Sequence, residues 1–153
     1  MYIVSRCLLG VNCKYNGANN HREDVVEFTR KHVCVDVCPE CAGGLPIPRE
    51  PSEIVIRDGQ RRVESRRGED VTDCFIRGAQ RSWERIQAAI EETGEPVQGA
   101  ILKAKSPSCG VGKVYDGQFN GTLVEGNGFL AELLLEKGIP VWTEKNFLEE
   151  IGE

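Results

Sequence analysis

Val33-Cys34-Val35-Asp36-Val37-Cys38-Pro39-Glu40-Cys41 decides how this chain should be read. Val33 to Val37 is β-branched and mostly apolar, the composition of a strand buried on both faces of a parallel sheet. Proline then removes a backbone donor and ends the strand, so Cys38 falls at its carboxyl end. Upstream, Tyr2 to Arg6 reads as a first strand that runs into Cys7-Leu8-Leu9-Gly10, with a helix from about Asp24 to His32 between the two strands. Downstream, Pro46 to Pro51 carries three prolines and should cross the surface in extended form. Ile54–Arg57, Asp58-Gly59 and Arg62–Glu64 then read as a β-hairpin.

The main helix is expected from Val71 to Glu92, with Phe75, Ala79, Ile86 and Ile90 near helical spacing and Gly94 just past its end. Gly99 to Ala104 is a further central strand, feeding the loop formers Lys105-Ser106-Pro107-Ser108-Cys109-Gly110. A hairpin over Gly112 to Phe119, a helix from Phe129 to Lys137, a strand Pro140–Thr143 and a helix Lys145–Ile151 follow. Alternating strands and helices predict one α/β domain over residues 1–153. Its sheet should be Rossmann-like and mostly parallel, the middle of three layers with helices on both faces, plus a short β-hairpin insertion. Ligands of such sheets bind outside the carboxyl ends of the strands, where Cys7, Cys38 and Cys109 should therefore converge.

Composition narrows the function classes. Hydrophobic residues make up 40% and charged residues 28%, a globular balance, and no apolar run approaches the roughly 18 residues of a membrane span. No secretory signal precedes the first strand, so a cytoplasmic location is expected. The net charge of −5 argues against nucleic acid as a partner, although Arg57, Arg61, Arg62, Arg66 and Arg67 form one local basic candidate. Seven cysteines, an odd number, fit metal ligation or thiol chemistry better than disulfides in a reducing compartment. Zinc, a redox relay and an iron–sulfur cluster all remain open from spacing alone. A second Cys-x-x-Cys to complete a structural zinc site is missing, and no helix is expected after Cys38-Pro39-Glu40-Cys41, unlike thioredoxin-type redox motifs. Cys74, at the start of a helical pattern, reads as a packing residue.

Several segments carry a resemblance: Cys7-Leu8-Leu9-Gly10, Asn12 to Gly17, Cys38-Pro39-Glu40, Gly43 to Arg49, Gly68 to Thr72, and Ser106-Pro107-Ser108-Cys109-Gly110. In this order they resemble a bacterial "domain of unknown function" family whose characterised member is thiouracil desulfurase, over a span from Cys7 through Trp142. The resemblance implies a [4Fe-4S] cluster held by Cys7, Cys38 and Cys109, with the fourth iron free of protein ligands. Cys13 also matches the family pattern and is the alternative first ligand; Cys34, Cys41 and Cys74 match no motif position. A thiolate-bound iron with an open site is a Lewis acid that favours sulfur, so a thiolated nucleobase is the implied small-molecule substrate and hydrogen sulfide the product, with no net electron transfer. Water addition needs a base, for which Glu40 is the candidate, and the resemblance points to Ser106 as a hydroxyl partner. Arg49, Lys103 and Lys105 read as surface charges that could face an anionic group, and neither His21 nor His32 lies in a motif. The competing readings are a non-catalytic metal or cluster module that binds RNA through the arginine-rich hairpin, and a thiol oxidoreductase.

Overall fold

The computed structural model describes residues 1–153. Its centre is a four-stranded parallel sheet in the order β2-β1-β5-β8, formed by Cys34–Val37, Tyr2–Ser5, Gly99–Leu102 and Val141–Thr143. Every residue of β1 and β5 is buried, apolar but for Ser5, whose hydroxyl accepts the Lys103 N–H at 2.9 Å.

The pleat sends alternate residues to opposite layers. Ile3, Val35, Val37 and Leu102 pack with Ala79 and Ile86 of α3 (Thr72–Thr93) and with Leu130 and Leu134 of α4 (Phe129–Glu136). Tyr2, Val4 and Ile101 pack with Val25 and Phe28 of α1 (Glu23–Lys31) and with Phe147 of α5 (Phe147–Ile151). Burying each of these large apolar side chains contributes about 1.5–3 kcal/mol relative to leaving it in water. Two layers of helices thus sandwich the sheet, as its sequence pattern predicts. No helix is long and apolar enough to cross a membrane.

The hairpin strands β3 (Ser52–Arg57) and β4 (Gln60–Ser65) pair antiparallel, and Asp58 and Gly59 between them have φ of 51° and 77°. Two successive positive φ values match the right-handed twist of the strands, which is why Asp-Gly works there. Gly94, at φ 69°, ends α3 by donating its N–H to the Ile90 carbonyl.

Several boundaries differ from the sequence reading. β1 stops at Ser5 because Arg6–Leu9 coils into a 3₁₀ turn, closed by Gly10 at φ 88°. β5 stops at Leu102, and α5 begins at Phe147, since Asn146 instead accepts a bond from the Thr143 N–H at 2.9 Å. The second hairpin is wider than Gly112–Phe119: β6 (Lys113–Tyr115) pairs with β7 (Leu123–Glu125) across a long turn. A one-turn helix, α2 (Pro39–Ala42), forms within the Cys-x-x-Cys segment and ends at Gly43, so no helix follows the pair; proline at its first position has no N–H to lose there.

Candidate functional site

Because all four strands of the sheet run the same way, their carboxyl ends share one edge. Cys7 lies in the 3₁₀ turn after β1, Cys38 caps α2 directly after β2, and Cys109 lies in the loop that follows β5. All three line a single cavity of about 470 Å³, together with Cys13, Glu40, Arg49, Lys103, Lys105, Ser106 and Ser108. The convergence expected from the strand ends is thus present, and the fourth candidate thiol joins it.

The turn that presents Cys38 and Glu40 is clamped from behind by α3. A Cβ on Gly78 would lie 2.0 Å from the Pro39 carbonyl oxygen, and one on Gly43 would lie 2.0 Å from that of Cys74, so only glycine permits this approach. Arg77, Arg81 and Arg85 stand one turn apart on α3. They donate to the carbonyls of Gly43 at 3.0 Å, Ala42 at 2.9 Å and Asp36 at 2.7 Å. Carbonyls on both sides of the motif are therefore satisfied by one helix face.

The thiols are electrostatically unequal. The Cys13 thiol donates towards the Cys38 sulfur, which holds Cys38 down at about 6, helped by the Cys41 N–H, and pushes Cys13 up. Burial pushes Cys7 up, opposed by the Asn20 side-chain amide, which donates to its sulfur at 3.4 Å. Burial raises Cys109 to about 12 against hydrogen bonds from Ser5 and Ser108. Metal ligation would override this, since a coordinating thiol is deprotonated outright.

Glu40 is held at both oxygens. Its Oε1 accepts from Arg49 Nε at 3.2 Å and its Oε2 accepts from the Ser108 hydroxyl at 3.2 Å. Ser108 Oγ lies 3.3 Å from Ser106 Oγ, and Ser106 in turn accepts the Cys109 N–H at 2.7 Å. Ser106 therefore braces the cysteine turn, while Ser108 is the hydroxyl that touches the carboxylate directly. The reading of Arg49 as a surface charge is corrected: its side chain is 6% exposed and also donates to the carbonyls of Cys13 at 2.9 Å and Pro46 at 3.1 Å. Its place in the Gly43–Arg49 motif was the available signal. Lys103 is likewise tied down, 3.0 Å from Glu144, which is 5% exposed and accepts the Ala104 N–H.

Of the remaining cysteines, two stand apart from the cavity, and the Cys41 thiol lies just behind its wall, against Cys38 and Arg49. Cys34 and Cys74 are half-buried on β2 and α3, and burial raises Cys34 to about 11. Cys41 points back to the Cys13 carbonyl at 3.8 Å. On the hairpin's basic candidate, Arg57 pairs with Glu64, Arg62 with Asp70 and Arg67 with Glu50.

The donor set fits a polynuclear core. Thiols from three loops line one cavity, and one of them, Cys38, is held as a thiolate near neutral pH, the donor type that iron–sulfur clusters take. A parallel α/β sheet that gathers thiols, a clamped carboxylate and hydroxyls at its carboxyl edge defines an α/β protein with a thiolate-rich ligand site. Residues 2–146 match the family model for 2-thiouracil desulfurase, and the chain belongs to that family. It is 37% identical to the uncharacterized protein YbbK of Bacillus subtilis (strain 168), over 99% of both chains. A solved structure described as the [4Fe-4S]-dependent thiouracil desulfidase TudS is also 37% identical and superposes with a TM-score of 0.79, covering 97% of this chain and 93% of that one.

Proposed function

We propose that this chain is a cytoplasmic iron–sulfur enzyme that desulfurates a thiolated pyrimidine of the thiouracil type. Water replaces sulfur at the carbon, a C=S bond and H₂O become a C=O bond and H₂S, and no electrons are gained or lost. The observation that carries this reading is the meeting of Cys7, Cys38 and Cys109 with Glu40 and Ser106 in one cavity. Family membership and the likeness to TudS support it.

Cys7, Cys38 and Cys109 would hold a [4Fe-4S] cluster, with Cys13 as the alternative to Cys7. When bound, the cluster supplies a Lewis-acidic iron with a position open to a soft sulfur ligand. The protein's own part is proton management. Glu40 takes a proton from the attacking water at Oε2, and Arg49 fixes the other oxygen so that the carboxylate does not swing away. The Ser108 hydroxyl, between Glu40 and Ser106, relays that proton or donates to the substrate oxygen. Lys103, anchored by Glu144, adds positive charge beside Cys7.

The test is anaerobic reconstitution, with iron and sulfide counted per chain and 2-thiouracil then offered. The wild type should release sulfide and form uracil. Glu40→Gln should keep the cluster absorbance but lose release by about 10²-fold or more, the usual contribution of a positioned base. Unchanged turnover in that variant would remove Glu40 from the mechanism.

A further inference from the structure

The cavity has an aromatic section that the thiols and Glu40 leave unused. Tyr15, Tyr115 and Phe119 line it, together with Arg66. Phe119 lies in the turn between β6 and β7 with φ of 56°, a left-handed conformation that a bulky L-residue adopts only under constraint. Asn120, which tolerates that conformation, is its neighbour. The chain nonetheless places the aromatic residue at the strained position.

The constraint is visible. Glu53, a β3 residue only 8% exposed, accepts the N–H groups of Gly117 at 3.0 Å and Phe119 at 3.2 Å on one oxygen, Oε1. The turn is pressed flat on β3: a Cβ on Gly117 would meet Val55 Cγ1 at 2.6 Å and the Ile54 carbonyl oxygen at 3.0 Å. Arg66 lies 5.6 Å from the centroid of the Phe119 ring, as a cation–π neighbour. Phe119 does not join the buried clusters of the fold and stays half-buried, so core packing does not explain its cost. Strain of this kind persists where the surroundings over-determine it, and it gathers at ligand sites.

Resting on the desulfurase reading, the geometry points to Phe119 as the stacking face for the planar heterocycle of the substrate, with Glu53 as the positioning residue that holds it over the cavity. An aromatic face accepts any planar ring, so it selects the heterocycle as a class, and recognition of the thiocarbonyl is left to the thiolate end of the site.

The experiment uses the full chain, anaerobically reconstituted. The dissociation constant for uracil is measured by calorimetry, and kcat and KM are measured with 2-thiouracil. Uracil carries no sulfur, so its binding reports stacking without turnover. Phe119→Leu should weaken uracil binding and raise KM by roughly ten-fold or more while kcat stays within about two-fold, the signature of lost stacking rather than lost chemistry. Phe119→Tyr should behave as wild type. Glu53→Ala should reproduce the KM defect, and Glu53→Gln, which keeps an acceptor oxygen, should restore it. Phe119→Gly relieves the positive φ and should hold or raise the thermal midpoint while KM rises; a purely structural Phe119 would lower the midpoint and leave KM alone. Equal uracil affinity in wild type and Phe119→Leu, or no uracil binding by wild type, overturns the stacking proposal. Uracil binding that depends on Phe119, in a wild type that releases no sulfide, keeps the stacking face and overturns the desulfurase reading.

Discussion

The carboxyl edge of the parallel sheet and the two antiparallel hairpins both face the same cavity, but they are held in different ways. At the sheet edge, cysteines follow strands whose residues are fully buried in β1 and β5, and α3 closes on the Cys38 turn at glycine contact distance. In the hairpins, β7 is exposed throughout, Ile56 is 64% exposed, and pairs such as Arg57–Glu64 lie near the solvent. Exposed pairs of this kind contribute little. The difference teaches a division of labour: the candidate donor groups stand at the edge of a layer buried on both faces, and groups that shape the cavity wall stand on ribbons that pack one face on Phe75 through Ile54, Val63 and Val114 and leave the other to solvent.

The largest effect expected from breaking this contrast lies at the edge itself. Cys109→Ser should abolish the visible absorbance of the reconstituted cluster and all sulfide release, whereas Cys74→Ser, half-buried on α3, should leave both near wild type. Equal loss in the two variants would mean that the cavity thiols have no special standing. Next in size is the clamp. Gly78→Ala places a methyl group 2.0 Å from the Pro39 carbonyl oxygen. Thermal unfolding should show about 1–3 kcal/mol of destabilisation, the cost of overpacking, together with poorer iron retention. An unchanged midpoint would show that α2 can retreat freely.

The smallest effect is a difference in rate among thiols of the iron-free protein. Cys38 is held at about 6, so its alkylation by iodoacetamide should lose half its plateau rate near that pH and fall further as pH drops. Cys109, raised to about 12 and only 5% exposed, should stay unmodified through neutral pH. Mass spectrometry of the labelled peptides checks the order. Faster labelling of Cys109 would contradict the burial that separates the two.

Much of this arrangement is legible in the chain. The β-branched run before Cys38, the periodic apolar residues ending at Gly94 and the Asp58-Gly59 turn are local signals, and each forms the element it predicts. The cavity is legible less directly: a parallel sheet sends its strand ends to one edge, so three cysteines after strands had to share it. Boundaries were harder, because β1 and α5 are bounded by the turns Arg6–Leu9 and Thr143–Asn146, and β5 ends where the next two amides turn to distant side chains. Ser5 accepts the Lys103 N–H and Ala104 donates to Glu144, partners far away along the chain.

By itself, then, the sequence determined the alternation of strand and helix, the identity of the ligand-type residues and their order along the backbone, since periodicity and turn chemistry are properties of neighbours. Tertiary structure decided the rest: that Arg49 is buried against Glu40, that Ser108 rather than Ser106 touches the carboxylate, and that Glu53 bends Phe119 over the cavity. Those outcomes depend on which polar groups lose their water together when separate segments close on one another. No single segment carries that information.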